Sequence, residues 1–264
     1  MSFAFEPNRF RSTVPFYAAF RVPYPEALIT FVAERCNLAR ASPVLDLGCG
    51  PGQLAVAFAR LGCAVTAIDP EPDMLAEAAK QAAASGLAVN LVEGSSYDLS
   101  ARCGPFQLVA MGRSFHWMDR VATLRVLDQI IASNGAIALF GDRRIATPGA
   151  DWPSLLDELS REFAPVSMKR RWDNPAWERH EMILLRSAFP HLTLHGMTFA
   201  RRLSADDIVG LAYSRSITSP AVLGEGRQAF EARLRAGLTR LAPDDHFNEI
   251  VEIRALIARR RPGW

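Results

Sequence analysis

Short apolar runs alternate with amphipathic stretches through the first half of this chain of 264 residues. A short, nearly continuous apolar run is typical of a strand that is buried on both faces of a sheet. Between these runs, apolar residues recur every three or four positions, which predicts helices. The runs predict strands over 44–47, 64–68, 89–92, 106–111 and 136–140.

Helical stretches cover 25–39, 53–61, 70–86 and 119–132, and each of them comes shortly before a predicted strand. Strands that alternate with helices through short links form a parallel sheet with helices on both faces. We therefore predict an α/β fold with a doubly wound, mostly parallel sheet.

The pattern changes after residue 141. Large apolar residues recur at helical spacing from Trp152 to Phe163, whereas 192–199 alternates apolar and polar residues as a strand does. Because the sheet resumes, the segment 145–185 is interpreted as a helical insertion in one domain, and long excursions of this kind often act as lids. Further helices are predicted over 204–217 and 225–241.

The charge and composition of the chain limit which partners, cellular locations and metal sites are expected. A net charge of +2 implies no strong electrostatic preference for nucleic acid, and no apolar window approaches the length of about 18 residues that a membrane helix needs. The N-terminal stretch lacks the apolar core of a secretory signal. None of the four cysteines has CxxC spacing, and the histidines lack ligand spacing, so we predict a cytoplasmic protein with free thiols and no metal.

A glycine-rich turn, VLDLGCGPG at 44–52, follows the first predicted strand. Its spacing is GxGxG, and the third glycine of the dinucleotide motif GxGxxG would fall on Gln53. Asp46 precedes the turn, and its carboxylate would repel a pyrophosphate but attract a cationic ligand or an ammonium group. The Gly-Lys-Ser/Thr of a phosphate-binding loop is absent. The turn therefore favours a ligand other than a dinucleotide or a nucleoside triphosphate.

This stretch resembles the first motif of the class I S-adenosylmethionine-dependent methyltransferases. Asp69, at the end of the second predicted strand, matches the acidic residue that holds the two ribose hydroxyls in this family. The PEPDML stretch after it matches the segment that lines the adenine, with Met74 as an apolar contact. The family usually has Gly-Asp-Ala after the third strand, whereas this chain has Gly94-Ser95-Ser96, so Ser95 or the backbone of Ser96 would substitute for the carboxylate.

Further likenesses point to the type-11 small-molecule methyltransferase group. They are SFHWMD at 114–119, FYAAFRVPYP near the N-terminus and IVGLAYSRS late in the chain. The resemblance implies a seven-stranded Rossmann-like sheet and the cofactor S-adenosyl-L-methionine, which leaves as S-adenosyl-L-homocysteine. It implies cofactor contacts from Tyr17, Arg21, Asp46, Gly48, Cys49, Gly50, Gln53, Asp69, Pro70, Met74, Ser95, Ser96, Tyr97, Gly112 and Arg113.

The expected single domain has four parts. Residues 1–40 form an N-terminal helical lid segment, because residues 1–24 are too rich in aromatic residues for a disordered tail. The cofactor-binding core covers 41–144, the helical cap insertion 145–185, and the end of the sheet with C-terminal helices 186–264.

The expected reaction is methyl transfer to a small molecule by in-line displacement, with oxygen favoured over nitrogen or carbon as the acceptor atom. His116 follows the fourth predicted strand, and its ordinary pKa suits a general base. The alternative, which the sequence favours over the base, is a histidine that forms a hydrogen bond within the loop or orients the cofactor. Arg21 could pair a carboxylate of the cofactor or of the substrate, or lie exposed.

Two other functions remain open at this point: an enzyme of this fold that binds the cofactor but catalyses a non-methylating reaction, and a ligand-binding protein with a vestigial pocket. Nucleic-acid methylation is disfavoured, since there is neither a basic domain nor an NPPY-like tetrapeptide. The sequence does not indicate an oligomeric state.

Overall fold

The computed structural model describes residues 8–147, 151–165 and 177–261. In these ranges seven strands form one sheet in the order β3-β2-β1-β4-β5-β7-β6. Strands β1 to β5 are parallel, and β7 runs antiparallel to both of its neighbours. The strands are β1 (Pro43–Leu47), β2 (Ala64–Asp69), β3 (Asn90–Glu93), β4 (Phe106–Gly112), β5 (Ile131–Ile145), β6 (His191–Leu203) and β7 (Phe247–Arg259).

The predicted α/β class with a mostly parallel sheet is confirmed, and so is the number of strands that the family resemblance implied. Described helices lie between most consecutive strands and before β1. They are α1 (Val14–Phe20), α2 (Glu26–Arg35), α3 (Gln53–Arg60), α4 (Pro72–Ala84), α5 (Arg120–Ile130), α6 (Trp152–Phe163), α7 (His180–Leu185), α8 (Ala205–Tyr213), α9 (Pro220–Leu223) and α10 (Arg227–Leu241).

The two faces of the sheet bury separate clusters of apolar side chains. Successive strand residues point to opposite faces, so Val44 joins Phe58 of α3 in one cluster, while Leu45 joins Leu127 of α5 in the other. All four of these side chains are fully buried. The apolar runs of the strands are therefore explained by helices that cover both faces.

A third cluster forms a helical cap above the carboxyl ends of the strands. It joins Trp152 and Leu156 of α6 to Tyr213 of α8 and Phe230 of α10. The sequence analysis predicted a single cap insertion, yet most of the buried residues in this cluster come from the second helical segment, between β6 and β7. Helix α7, which falls inside the predicted insertion, packs on the sheet instead, through Leu184.

The C-terminal segment of the described chain is a strand and not another helix. All thirteen residues of β7 pair with β6, from Phe247↔Leu203 to Arg259↔His191, and most of them also pair with β5. Among the described residues, no helix is both long and apolar enough to cross a membrane.

Candidate active site

The glycine turn between β1 and α3 takes a backbone shape that a side chain would strain. Gly48, Gly50 and Gly52 all have positive φ angles, of 71°, 54° and 83°, a region where residues with a Cβ atom are strained. A Cβ atom on Gly48 would also lie 2.6 Å from the Cβ of Ser114, and one on Gly52 would lie 2.9 Å from the Cβ of Ala78. The glycines therefore let the turn approach both β4 and α4 closely.

Asp69 links the end of β2 to this turn. Its Oδ2 accepts a hydrogen bond from the amide of Gly50 at 2.8 Å, and its Oδ1 accepts one from the amide of Glu71 at 2.9 Å. A carboxylate offers about four acceptor positions, so both oxygens of Asp69 can still accept from a ligand.

Two buried carboxylate oxygens beside the turn accept no hydrogen bond within the described part of the chain. They are Oδ1 of Asp46 and Oε1 of Glu71; the other oxygen of Asp46 accepts from the amide of Ala55 at 2.9 Å. Burial raises the pKa of Asp46 to about 7 and the pKa of Asp69 to about 6. Oε1 of Glu71 still has an ion-pair partner, since Nε of Arg11 lies 3.7 Å away, whereas Oδ1 of Asp46 has none among the described residues. A buried acceptor in that state is costly, which marks this place for a ligand that carries positive charge or donates hydrogen bonds.

A small cavity of about 140 Å³ opens at the carboxyl ends of β1, β2 and β4. This edge of a doubly wound sheet is the usual ligand site. The structure brings most of the predicted cofactor residues together around it, namely Tyr17, Gly48, Gly50, Asp69, Pro70, Met74, Ser95, Ser96, Tyr97, Gly112 and Arg113.

Four of the predicted site residues lie elsewhere. Asp46, Cys49 and Gln53 do not line the smaller cavity, and Arg21 lines a second, larger one. The amide of Cys49 is committed to the carbonyl of Ile68. The cavity wall also includes residues outside the predicted cofactor set, notably Phe10, Glu71, Ser114, Trp117 and Met118. Glu71 stands inside the quoted PEPDML stretch, and Ser114, Trp117 and Met118 stand inside SFHWMD, so motif position was the available indication. The close approach of Ser114 to Gly48 is evident only from the structure.

The larger cavity has a volume of about 820 Å³ and lies beneath the helical cap. Tyr17, Arg113 and Trp117 are among the residues that line both cavities, so the two spaces adjoin through a shared wall. Phe10 completes this wall, with its ring packed edge-on against Trp117 at a centroid distance of 5.2 Å.

Arg113 fixes the shared wall in place. Its Nη2 donates to the carbonyl of Val22 at 2.8 Å, its Nη1 to Gln53 at 3.4 Å, and its Nε to Asp142. Its φ angle is 55°, a strained value for a residue with a side chain, and such strain concentrates at functional sites. The guanidinium thus ties α3, β5 and the segment after α1 to the end of β4, and it serves mainly to position the wall.

Two histidines face each other in the larger cavity. The rings of His116 and His180 are stacked, with centroids 6.5 Å apart, and both line the cavity. Nη1 of Arg120 lies 3.1 Å from Nδ1 of His180, and because arginine only donates, Nδ1 accepts and the proton of His180 sits on Nε2. Burial, with the nearby Arg120 cation, lowers the pKa of His180 to about 4. His180 is therefore a neutral donor, and the sequence analysis, which considered it only as a metal ligand, missed it.

Comparison with known proteins agrees with this geometry. A family model described as a methyltransferase domain matches residues 44–135, the part that holds the glycine turn, Asp69 and the end of β4. An uncharacterized methyltransferase of Mycobacterium bovis is 26% identical over 215 residues, which cover 80% of this chain and 79% of that protein. Residues 44–135 thus match a methyltransferase domain, and the comparisons support a class I S-adenosylmethionine-dependent methyltransferase. The sequence-based identification is confirmed at this level, and the finer type-11 assignment stays a prediction.

Two further proteins resemble this methyltransferase. A ubiquinone biosynthesis O-methyltransferase of Xanthomonas euvesicatoria pv. vesicatoria is 36% identical over 113 residues, which cover 42% of this chain and 47% of that protein. The crystal structure of an S-adenosylmethionine-dependent methyltransferase from Geobacter sulfurreducens, in complex with S-adenosyl-L-homocysteine, has 17% identity and a TM-score of 0.51 over 95% of this chain and 98% of that one. The structural likeness concerns the fold.

Proposed function

We propose that this methyltransferase transfers the methyl group of S-adenosyl-L-methionine to an oxygen atom of a small molecule. The cofactor occupies the smaller cavity and the acceptor the larger one. The observation that carries this proposal is the shared wall of Tyr17, Arg113 and Trp117, because a methyl donor and its acceptor must meet for the transfer.

The residues around the glycine turn fit the cofactor. Asp69 has acceptor positions left for two ribose hydroxyls. The carboxylate of Asp46, which is buried beside the turn but outside the cavity wall, attracts the ammonium group of the amino-acid end through its charge and not by contact. The glycine amides can approach the ligand closely because no side chains intervene. Met74 and Met118 offer an apolar, polarisable wall for an adenine ring.

Ser95 and Ser96 stand where the family has an acidic residue, and both line the smaller cavity. The hydroxyl and amide of Ser95 are engaged by Asp98 at 2.8 Å and 2.7 Å. In this arrangement the carboxylate of Asp98 organises the serine loop. Ser96, which is buried, is thus the better-placed donor and acceptor for the adenine edge.

The bound cofactor supplies an electrophilic methyl group, whose bond to sulfur breaks as the bond to the acceptor oxygen forms. The chain contributes orientation, exclusion of water and removal of the hydroxyl proton. We assign the proton to His116, because its cavity neighbour His180 already accepts a hydrogen bond at Nδ1 and stays neutral. The preference for oxygen is supported by the partial match to an O-methyltransferase.

The test is to incubate the purified protein with labelled S-adenosyl-L-methionine and an extract of small metabolites, and to identify labelled products by mass spectrometry. We expect a methyl ether or methyl ester and stoichiometric S-adenosyl-L-homocysteine. Calorimetry with S-adenosyl-L-homocysteine alone is the companion measurement. Binding without any methylated product would favour a non-methylating reaction, and absence of binding would overturn the proposal.

A further inference from the structure

Positive charge collects around the larger cavity. Six arginines and three carboxylates line it among the described residues, which is a formal excess of three positive charges, six minus three. Two wall residues form ion pairs with residues outside the wall: Arg215 pairs with Asp157, and Glu181 pairs with Arg179. These two outer partners carry opposite charges, so counting them leaves the excess of positive charge unchanged. This cavity therefore differs from the chain as a whole, whose net charge of +2 is spread over 264 residues.

The carboxylates of the wall are already committed to arginines. Asp142 accepts from Arg113, and Glu249, which is only 3% exposed, accepts from Arg144 at 2.7 Å and also from Arg201. The pair of Asp142 and Arg113 has no net charge, whereas Glu249 with its two arginines has a net positive charge. The cations that stay uncompensated in the described wall are thus available to a ligand.

Arg21 is the first of these cations. Its Nη2 donates to the carbonyl of Ser214 at 3.2 Å and its guanidinium lies 5.2 Å from the ring centre of Tyr17. Its Nε is buried and has no hydrogen-bond acceptor within the described chain. A buried donor without an acceptor is costly. Arg21 lines the larger cavity and not the smaller one, so the missing acceptor belongs on the substrate side.

Arg254 is the second cation. It lies in the middle of β7, where its partners across the sheet are Gly141 of β5 and Gly196 of β6. A Cβ atom on Gly141 would meet nothing within 4 Å, so the space beside Arg254 is open to the cavity. Arg254 makes no ion pair with any carboxylate in the described ranges, although it lies close enough to lower the pKa values of His180 and Glu181.

We propose that the methyl acceptor is an organic acid whose carboxylate is bound by Arg21 and Arg254 while a separate hydroxyl reacts. This inference rests on the proposed function and adds its substrate class. Guanidinium groups bind carboxylates through paired, charge-assisted hydrogen bonds, and an anion would satisfy Nε of Arg21 and balance the excess charge of the wall. A neutral acceptor would do neither.

The experiment compares small carboxylic acids with the primary amides of the same skeletons as ligands of the full-length protein, by calorimetry and thermal shift. Each pair is measured on protein saturated with S-adenosyl-L-homocysteine and on protein without it. The variants are Arg21→Gln and Arg254→Gln. Arg143→Gln is the matched control, because Arg143 is largely exposed, pairs with Glu252 and does not line the cavity.

We expect acids to bind and the matched amides to bind at least about tenfold more weakly, since a charged hydrogen bond is lost. Each of the two variants should weaken acid binding by a similar factor and Arg143→Gln should not. Amides that bind as well as acids, or a complete lack of acid binding, would overturn the inference. So would an Arg21→Gln variant that loses affinity for S-adenosyl-L-homocysteine and keeps it for acids, because Arg21 would then serve the cofactor.

Failure of the proposed function has a different outcome in the same experiment. In that case S-adenosyl-L-homocysteine does not bind to the wild-type protein. The comparison of acids with amides on the unliganded protein still shows whether the larger cavity prefers a carboxylate.

Discussion

Asp69 holds the glycine turn and also offers acceptors to the cofactor, so its loss should be felt mainly in binding. We predict that Asp69→Ala weakens the affinity for S-adenosyl-L-homocysteine by roughly tenfold to a hundredfold, as expected for lost charged hydrogen bonds of about 1.5–3 kcal/mol. Calorimetry measures the change. Asp73→Ala is the control, because Asp73, in the first turn of α4, is an exposed carboxylate that pairs with Arg11 and does not line the cavity. Equal affinities in the wild type and in Asp69→Ala would exclude the ribose role.

His116 is the residue whose substitution should separate catalysis from binding. If it removes the proton, His116→Ala should lower kcat by about a hundredfold or more, with little change in the affinity for S-adenosyl-L-homocysteine. Steady-state kinetics with the acceptor found in the labelling experiment gives kcat, and calorimetry gives the affinity. His191→Ala, at an exposed position that begins β6, is the control. A parallel loss of both quantities would assign His116 to the pocket wall instead.

Local motifs predicted the residues whose roles depend on the local backbone. Asp69 and the glycines could be placed because a strand, a turn and a helix follow one another directly in the sequence. Arg21 could not be assigned to one cavity, because its position depends on the carbonyl of Ser214, nearly two hundred residues away along the chain. His180 was missed for the same reason, since only the folded chain brings it beside His116 and Arg120.

Helix α8 supports the N-terminal segment through an unusually close contact. The Cβ that Gly210 lacks would lie 2.3 Å from the ring of Phe20 in α1, so only glycine allows this approach. We predict that Gly210→Ala destabilises the protein by about 1–3 kcal/mol, the usual cost of overpacking, and that it also weakens cofactor binding because α1 carries Tyr17. Chemical denaturation and calorimetry measure the two effects.

The control for this prediction is Gly226→Ala. A Cβ atom on Gly226 would meet the ring of Phe163 at an ordinary 3.5 Å, and its φ of −72° suits any residue. Similar losses in the two variants would show that the Phe20 contact carries no special stability.

At the level of elements, the parallel half of the sheet was predictable and the antiparallel half was less so. Strands β1, β2 and β4 are short and mainly apolar, whereas β3 is an edge strand with two apolar residues. The predicted ranges match all four strands to within about one residue. Strand β7 contains the charged residues Glu249, Glu252 and Arg254, which hide its alternating pattern. The two glutamates pair with Arg144 and Arg143 of the neighbouring strand β5. The cap was predicted from one segment because the contact between α6 and α10 joins residues that are far apart in the sequence. The apolar pattern of each helix predicts a buried face but not the helix that covers it.

For the molecule as a whole, the two buried carboxylates beside the glycine turn make cofactor binding depend on pH. The pKa values of Asp46 and Asp69 are raised to about 7 and about 6 by burial, above the ordinary value near 3.9. Because the folded state holds these protons more tightly than the unfolded state does, their contribution to the free energy of unfolding is fully present below about pH 4. It is lost as the pH rises through about 6 and 7, where the two carboxyls ionise in the folded protein. The unliganded protein therefore loses stability from these two groups over that interval.

A cofactor that places an ammonium group and hydroxyls against ionised carboxylates binds more tightly where they are ionised. We predict that the affinity for S-adenosyl-L-homocysteine rises by roughly tenfold or more between about pH 5.5 and pH 8, and that the increase in Tm at a fixed ligand concentration grows in the same direction. Calorimetry and thermal unfolding across this range measure both. The Asp69→Ala variant should show a smaller dependence, since one of the two titrating groups is gone. An affinity that is constant with pH in the wild type would mean that neither carboxylate meets the cofactor in its ionised form.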